Sequence, residues 1–221
     1  MTTVANVLTR VGYRLFSDGT EIGSTSEPSE TECIQWVNEV CEELLTVCIE
    51  NKTEIGRTLG SITLADGTAS YDDLDDVLFA PVIMRGLDGE QFSGWILKTN
   101  VRNPLTLGIE ADLIDQDPAL ESEPTAFYID GSNNVIFMPT PDATYTAKIP
   151  YYPYHTALTA TTDTVPFLKV FDNVITESVT MRAQNRDEYD LAFELKWFSY
   201  IRKQARKIIA MRRNETVRFV N

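Results

Sequence analysis

The sequence predicts an α+β chain, with a helical bundle from the N- and C-terminal segments and an inserted antiparallel β domain of hairpins. Three observations carry this. Apolar residues recur at helical spacing near both ends, as in Val4, Val7, Leu8, Val11 and Leu15, and again from Phe167 onward. Between about residues 53 and 160 the period falls toward two. Asp-Gly pairs at 66–67, 88–89 and 130–131 stand between alternating runs, the chemistry a tight hairpin turn needs. The chain then divides into N-terminal helices (1–52), a β-rich insert (53–160), C-terminal helices (161–213) and a C-terminal arm (214–221).

The first helix spans 4–16, and the polar stretch Ser17–Ser29 reads as a loop. Ser29 followed by Glu32 is a capping box opening the second helix. Its stripe is Cys33, Val37, Val40, Cys41, Leu44, Val47 and Cys48, running to about Glu50, with Glu39, Glu42 and Glu43 on the wet side. Leu59, Ile62 and Leu64 alternate into the turn at Asp66-Gly67, and Thr68–Tyr71 completes a first hairpin. Val82–Arg85 and Glu90–Phe92 flank a second, and Phe127–Ile129 and Val135–Met138 a third. Tyr145–Tyr152 alternates and is expected to pair with this third hairpin. Residues 94–120 read ambiguously, with Trp95-Ile96-Leu97 as a short helix and then a loop to Pro118. A Thr-rich loop, 156–164, precedes an amphipathic helix carrying Phe167, Val170, Phe171, Val174, Ile175 and Val179. After a break near 184–186 the longest helix is expected from Asp187 to about Arg213. Its stripe is Leu191, Leu195, Phe198, Ile201, Ala205, Ile208 and Ile209. Acids in its first turn (Asp187, Glu188, Asp190) and cations at its end complement the helix dipole.

Charge is unevenly spread. The net charge is −14, yet residues 201–221 hold seven Lys/Arg and one acid, Glu215. The body therefore repels polyanions, while its end suits an acidic partner. Such a balance argues against a general nucleic-acid binder. No apolar run approaches a membrane span, and no secretory signal is expected at the start. Three cysteines on one helix, seven or eight residues apart, are too distant for a disulfide and read as small apolar core residues.

Nothing in the sequence assembles an active site. The single histidine, His155, has no nucleophile motif beside it and reads as structural. There is no Cys-x-x-Cys, no His-x-x-x-His and no phosphate-cradling glycine loop. The acidic clusters Asp72–Asp76 and Asp112–Asp117 lack EF-hand spacing and read as solvated loops. No cofactor or metal is expected. The C-terminal basic run has two readings: a solvated helix end, or a tail docking on another protein's acidic surface, with Phe219 and Val220 as apolar anchors.

Four local features occur in order from about Val4 to Arg213. Val11-Gly-Tyr-Arg14-Leu15 closes the first helix with an Arg-x-x-Leu-like turn. Ile34-Gln-Trp36-Val37-Asn38-Glu39 lies within the second. Val135-Ile-Phe-Met138-Pro139-Thr140-Pro141-Asp142 leads to a strand ending Pro150-Tyr151-Tyr152-Pro153. Two helices follow from Phe167, the last with an acid-rich start. In this order they resemble the head-to-tail adaptor proteins of tailed bacteriophages, the group that includes the tail tubular protein A type. One departure is that Asp72-Asp-Leu-Asp follows Tyr71 where those proteins often place Leu-Pro.

The resemblance implies a non-enzymatic virion neck protein, assembled in the bacterial host cytoplasm. It implies a homo-oligomeric ring, commonly a dodecamer, beneath the portal protein, with a tail or nozzle protein below and genomic DNA passing through unbound. The C-terminal segment would then dock on the portal through Arg202, Arg206, Arg212, Arg213, Arg218, Phe219 and Val220. Trp36, Trp197 and Tyr200 are candidate anchors between subunits, core packing being the competing role for the two tryptophans. Two alternatives remain: another neck component, such as a stopper or tail terminator, and a virion hydrolase using Asp/Glu pairs.

Overall fold

In the computed structural model the described residues are 1–16, 21–72, 77–79, 84–85, 91–98, 101–108, 120–132, 134–186 and 190–218. They form two compact units: 1–56 with 155–221, and 57–154. Four helices near the chain ends and a sheet between them make the fold α+β, as the periodicities predict.

The helical unit holds α1 (Val4–Leu15), α2 (Glu30–Glu50), α3 (Asp172–Gln184) and α4 (Leu191–Arg218). Helix α2 starts where its sequence says it should. The Ser29 hydroxyl accepts the Glu32 amide, and the Glu32 carboxylate accepts the Ser29 amide. A cap of this kind stabilises a helix by about 1 kcal/mol. All seven residues of the expected α2 stripe are buried, joined by Ile34, Trp36 and Leu45. The N-terminus of α1 is fastened to the Thr-rich loop, since the amides of Val4 and Ala5 donate to the carbonyls of Asp163 and Thr161. The loop itself closes on Asp163, whose carboxylate accepts the amides of Thr159 and Ala160.

Helix α3 is buried although its sequence is not apolar. Asp172, Thr176, Ser178 and Thr180 are enclosed along with Val174, Ile175 and Val179. The Thr2 hydroxyl (2.6 Å) and Arg10 (3.3 Å) both donate to the Asp172 carboxylate. The hydroxyls of Thr176 and Ser178 have no partner among the described residues.

Helix α4 corrects the expected stripe. Its buried seam is Trp197, Ile201, Ala205 and Ile209, whereas Leu191, Leu195 and Phe198 are exposed. Asp190 stands just before the helix rather than inside its first turn, with its carboxylate accepting the Ala192 amide. Asp187 and Glu188 lie outside the described residues.

The second unit is an eight-stranded sheet in which strands β1 (Thr58–Leu64), β10 (Tyr145–Pro153), β6 (Gly94–Lys98), β7 (Val101–Leu107), β8 (Ala126–Ile129), β9 (Val135–Met138) and β2 (Ser70–Tyr71) lie in that order. Strand β3 (Val77–Phe79) also pairs with β10, and β4 (Met84–Arg85) pairs with β5 (Gln91–Phe92) as a separate ribbon. The strands of the second and third hairpins thus pair, as β4–β5 and β8–β9, the Asp88-Gly89 turn of the second lying outside the described residues.

The other β expectations need correcting. Strands β1 and β2 flank the Asp66-Gly67 turn without pairing: β1 joins β10 and β2 joins β9. Tyr71 secures that turn instead. Its hydroxyl accepts the Ala65 amide and donates to the Thr68 carbonyl, both at 2.7 Å. Gly67 sits at φ +70, where a side chain would be strained. Strand β10 pairs with β1 and β6, not with the third hairpin. Trp95-Ile96-Leu97 is strand, not helix, and residues 101–107 form a strand, not a loop. Pro104 is tolerated there because β8 meets β7 only at Thr106 and Leu107. That contact is parallel, so the sheet is mixed rather than wholly antiparallel.

The inward faces of six strands build one core, including Ile62, Ile96, Leu105, Phe127, Phe137 and Ile149. At Gly94 the strands approach so closely that a Cβ would meet the Lys148 carbonyl oxygen at 2.9 Å.

Candidate functional site

Chemistry is sparse. Among the described residues no group of three or more His, Cys, Asp or Glu could hold a metal ion. Burial pushes the Cys33 and Cys41 thiols up to about 12 and raises that of Cys48, so none is a ready thiolate. The cluster Asp112–Asp117 and residues 73–76 of the other acidic run lie outside the described residues.

His155 serves the fold. Asn38 on α2 presents its amide oxygen to the Leu158 amide (2.8 Å) and to His155 Nε2 (2.9 Å), and its Nδ2 donates to the Leu158 carbonyl (3.0 Å). Since that oxygen can only accept, His155 meets it with a hydrogen on Nε2. Burial pulls the imidazole below its usual value, with the Glu42 carboxylate acting in the opposite sense. A depressed folded-state value means that protonation favours the unfolded chain. Stability should be full above about pH 6.5 and fall as the pH drops below it. Glu32, Asp130 and Asp163, held below the carboxylate range by hydrogen bonds, act in the same direction nearer pH 4. Urea midpoints between pH 7.5 and 5.5 should therefore decline in the native chain and be flatter in His155→Gln. Parallel profiles would clear the imidazole of any part in it.

The informative features are on α4. Its basic root is tied to α2. The Arg202 guanidinium donates to Glu43 and comes within 4.0 Å of Glu50, while Arg206 reaches Glu50 at 2.9 Å. Both arginines keep much of their surface exposed, so each pair contributes little stability, about 0–1 kcal/mol. They fix the α4–α2 register more than they strengthen it. Further in, Arg182 of α3 contacts Glu194 and Glu39 (3.6 Å) and lies 4.8 Å over the Trp197 ring, linking three helices.

Trp36 and Trp197 are packed inside the helical unit. Trp197 Nε1 donates to the Ser178 carbonyl at 2.8 Å, which meets the polar requirement of a buried indole. Tyr200 is only partly buried and lines a groove with Arg14, Val170, Lys207, Ile208 and Met211. A second groove of about 710 Å³ runs along the other flank of α4, lined by Glu43, Leu195, Phe198, Arg202, Lys203 and Arg206. Sequence periodicity missed the second surface because it assigned Leu195 and Phe198 to the core.

Ile209 is the last buried residue described on α4, and the helix continues to Arg218. Two and a half turns, about 13 Å, therefore lie past the seam. Arg212 is exposed on this extension. Phe219 and Val220 lie outside the described residues, as do the side chains of Arg213 and Arg218.

The SU10 adaptor protein profile matches residues 2–218, nearly the whole chain. The chain belongs to that family, which makes it a phage structural adaptor protein. No curated protein sequence matches it. No helix among the described residues is long and apolar enough to cross a membrane.

Proposed function

We propose that this chain is a head-to-tail adaptor of the tail tubular protein A type. Copies form a ring beneath the portal, twelve in number by the resemblance, with their helical units side by side. The C-terminal end of α4 docks on the portal, a tail or nozzle protein binds on the far side, and genomic DNA crosses the ring.

The observation that carries this reading is the continuation of α4 from Ile209 to Arg218, which carries most of the basic end of an otherwise acidic chain on one helix. A helix already formed gives up less conformational freedom on docking than a coil does. Arg212, Arg213 and Arg218 supply the charge, and Phe219 and Val220 the apolar anchor. Arg202 and Arg206 hold the root of the arm against α2, and each guanidinium has donors beyond those its glutamate uses. The acidic body favours DNA passage, because like charge keeps a polyanion from adhering.

Deleting residues 212–221 tests the reading. The cut falls after Ile209, the last residue described as buried on α4, so the shortened chain should stay folded, its helical circular dichroism signal lower only by the residues removed, while co-assembly with the portal is lost. Undiminished portal binding by the shortened chain would refute docking through this end.

A further inference from the structure

The groove between α4 and α2 is cationic, although the whole chain sums to −14. Arg202, Lys203 and Arg206 line it against one acid, Glu43. Glu50, beside it on α2, engages the two arginines only in part. It accepts from Arg206 at 2.9 Å, but its approach to Arg202 is 4.0 Å, outside hydrogen-bond range. Each guanidinium carries five N–H donors, so both keep several to offer. Lys203 is exposed and has no carboxylate partner among the described residues.

The same groove has an apolar end. Leu195 is 64% exposed and Phe198 38%. At 1.5 Å per residue they precede Lys203 and Arg206 by about 12 Å along the helix, roughly two turns. An apolar pair beside a row of cations, in a groove of about 710 Å³, is shaped for a ligand that is amphipathic and negatively charged.

We propose that this groove seats an acidic segment of another protein. Two apolar side chains of that segment cover Leu195 and Phe198, and its carboxylates, about 12 Å further on, meet Arg202, Lys203 and Arg206. A nucleic-acid backbone would answer the cations and leave the apolar pair bare. A second copy offers few open acids from its α2, because Glu39, Glu43 and Glu50 are taken up by Arg182, Arg202 and Arg206. The site is separate from residues 212–221, so this docking and that of the C-terminal end can fail independently.

The test titrates the full chain into a fluorescein-labelled helical peptide and reads anisotropy. The peptide has two leucines four residues apart and a run of glutamates beginning two turns beyond them. Binding should saturate and weaken as salt is raised. A peptide with glutamine in place of each glutamate should bind at least about tenfold more weakly. Lys203→Glu and Phe198→Asp should each cost at least about tenfold. Lys169→Glu makes the same charge change at an exposed site outside the groove and should leave affinity within about twofold. Lys203→Glu breaks no described contact, so it decides the matter even if Phe198→Asp unfolds the bundle. Absence of saturable binding, equal binding of the glutamine peptide, or indifference to Lys203→Glu would each overturn the proposal. Displacement of the peptide by a short DNA duplex at equal concentration would make the occupant a polyanion instead. Self-association of the native chain that the peptide breaks would make it a second copy. Either result refutes an acidic protein segment as the ligand.

Discussion

Replacing Trp197 with alanine should remove about 3–5 kcal/mol from the stability of the helical unit. The side chain is fully buried, and truncation leaves a void that its neighbours fill only in part. It also removes the indole N–H that donates to the Ser178 carbonyl and strips the ring from beneath Arg182. Domains have only about 5–15 kcal/mol in hand, so the variant should lose a large part of its margin and unfold at a much lower urea concentration. Urea denaturation followed by far-ultraviolet circular dichroism reads the effect. Trp197→Phe separates the terms, because it keeps most of the volume and loses the hydrogen bond, at about 1–3 kcal/mol. A Trp197→Ala midpoint within error of the native one would show that the helices do not depend on this seam.

Phe137→Ala should have a comparable effect in the sheet unit, again about 3–5 kcal/mol. Phe137 is fully buried, with Phe127 at 6.0 Å and the Tyr71 ring edge-on at 5.7 Å. Losing it also frees Tyr71, whose hydroxyl secures the Asp66-Gly67 turn. Amide hydrogen exchange should quicken first in β8, β9 and the turn, while α2 keeps its native protection. Uniform slow exchange across the sheet would contradict the central place given to this ring.

What sequence could reveal follows from the range over which each signal acts. The capping box, the α2 stripe and the 130–131 hairpin depend on residues within a few positions of one another, and each is present as read. The 66–67 turn was legible, but its strands' partners were not, because β1 finds β10 more than eighty residues away. Strand β7 was hidden by Pro104 and its polar neighbours, which resemble a loop unless the one-sided pairing is known. In α4 two apolar stripes overlap, and periodicity alone cannot say which is buried. Ile201, Ala205 and Ile209 belong to the buried seam as expected, and its largest member, Trp197, was left out of the stripe although core packing was one of the two roles its sequence position offered. The excess of cations at the C-terminus was plain from composition. That Arg202 and Arg206 are engaged by Glu43 and Glu50 depends on helix–helix packing, which no local pattern encodes.

Strands β1 and β10 begin and end the sheet unit, and they lie side by side, with Thr58 opposite Tyr151. The first and last strands of the sheet unit therefore run about 5 Å apart. Such a unit is a cassette: a glycine-serine bridge of a few residues could replace it without stretching the backbone on either side.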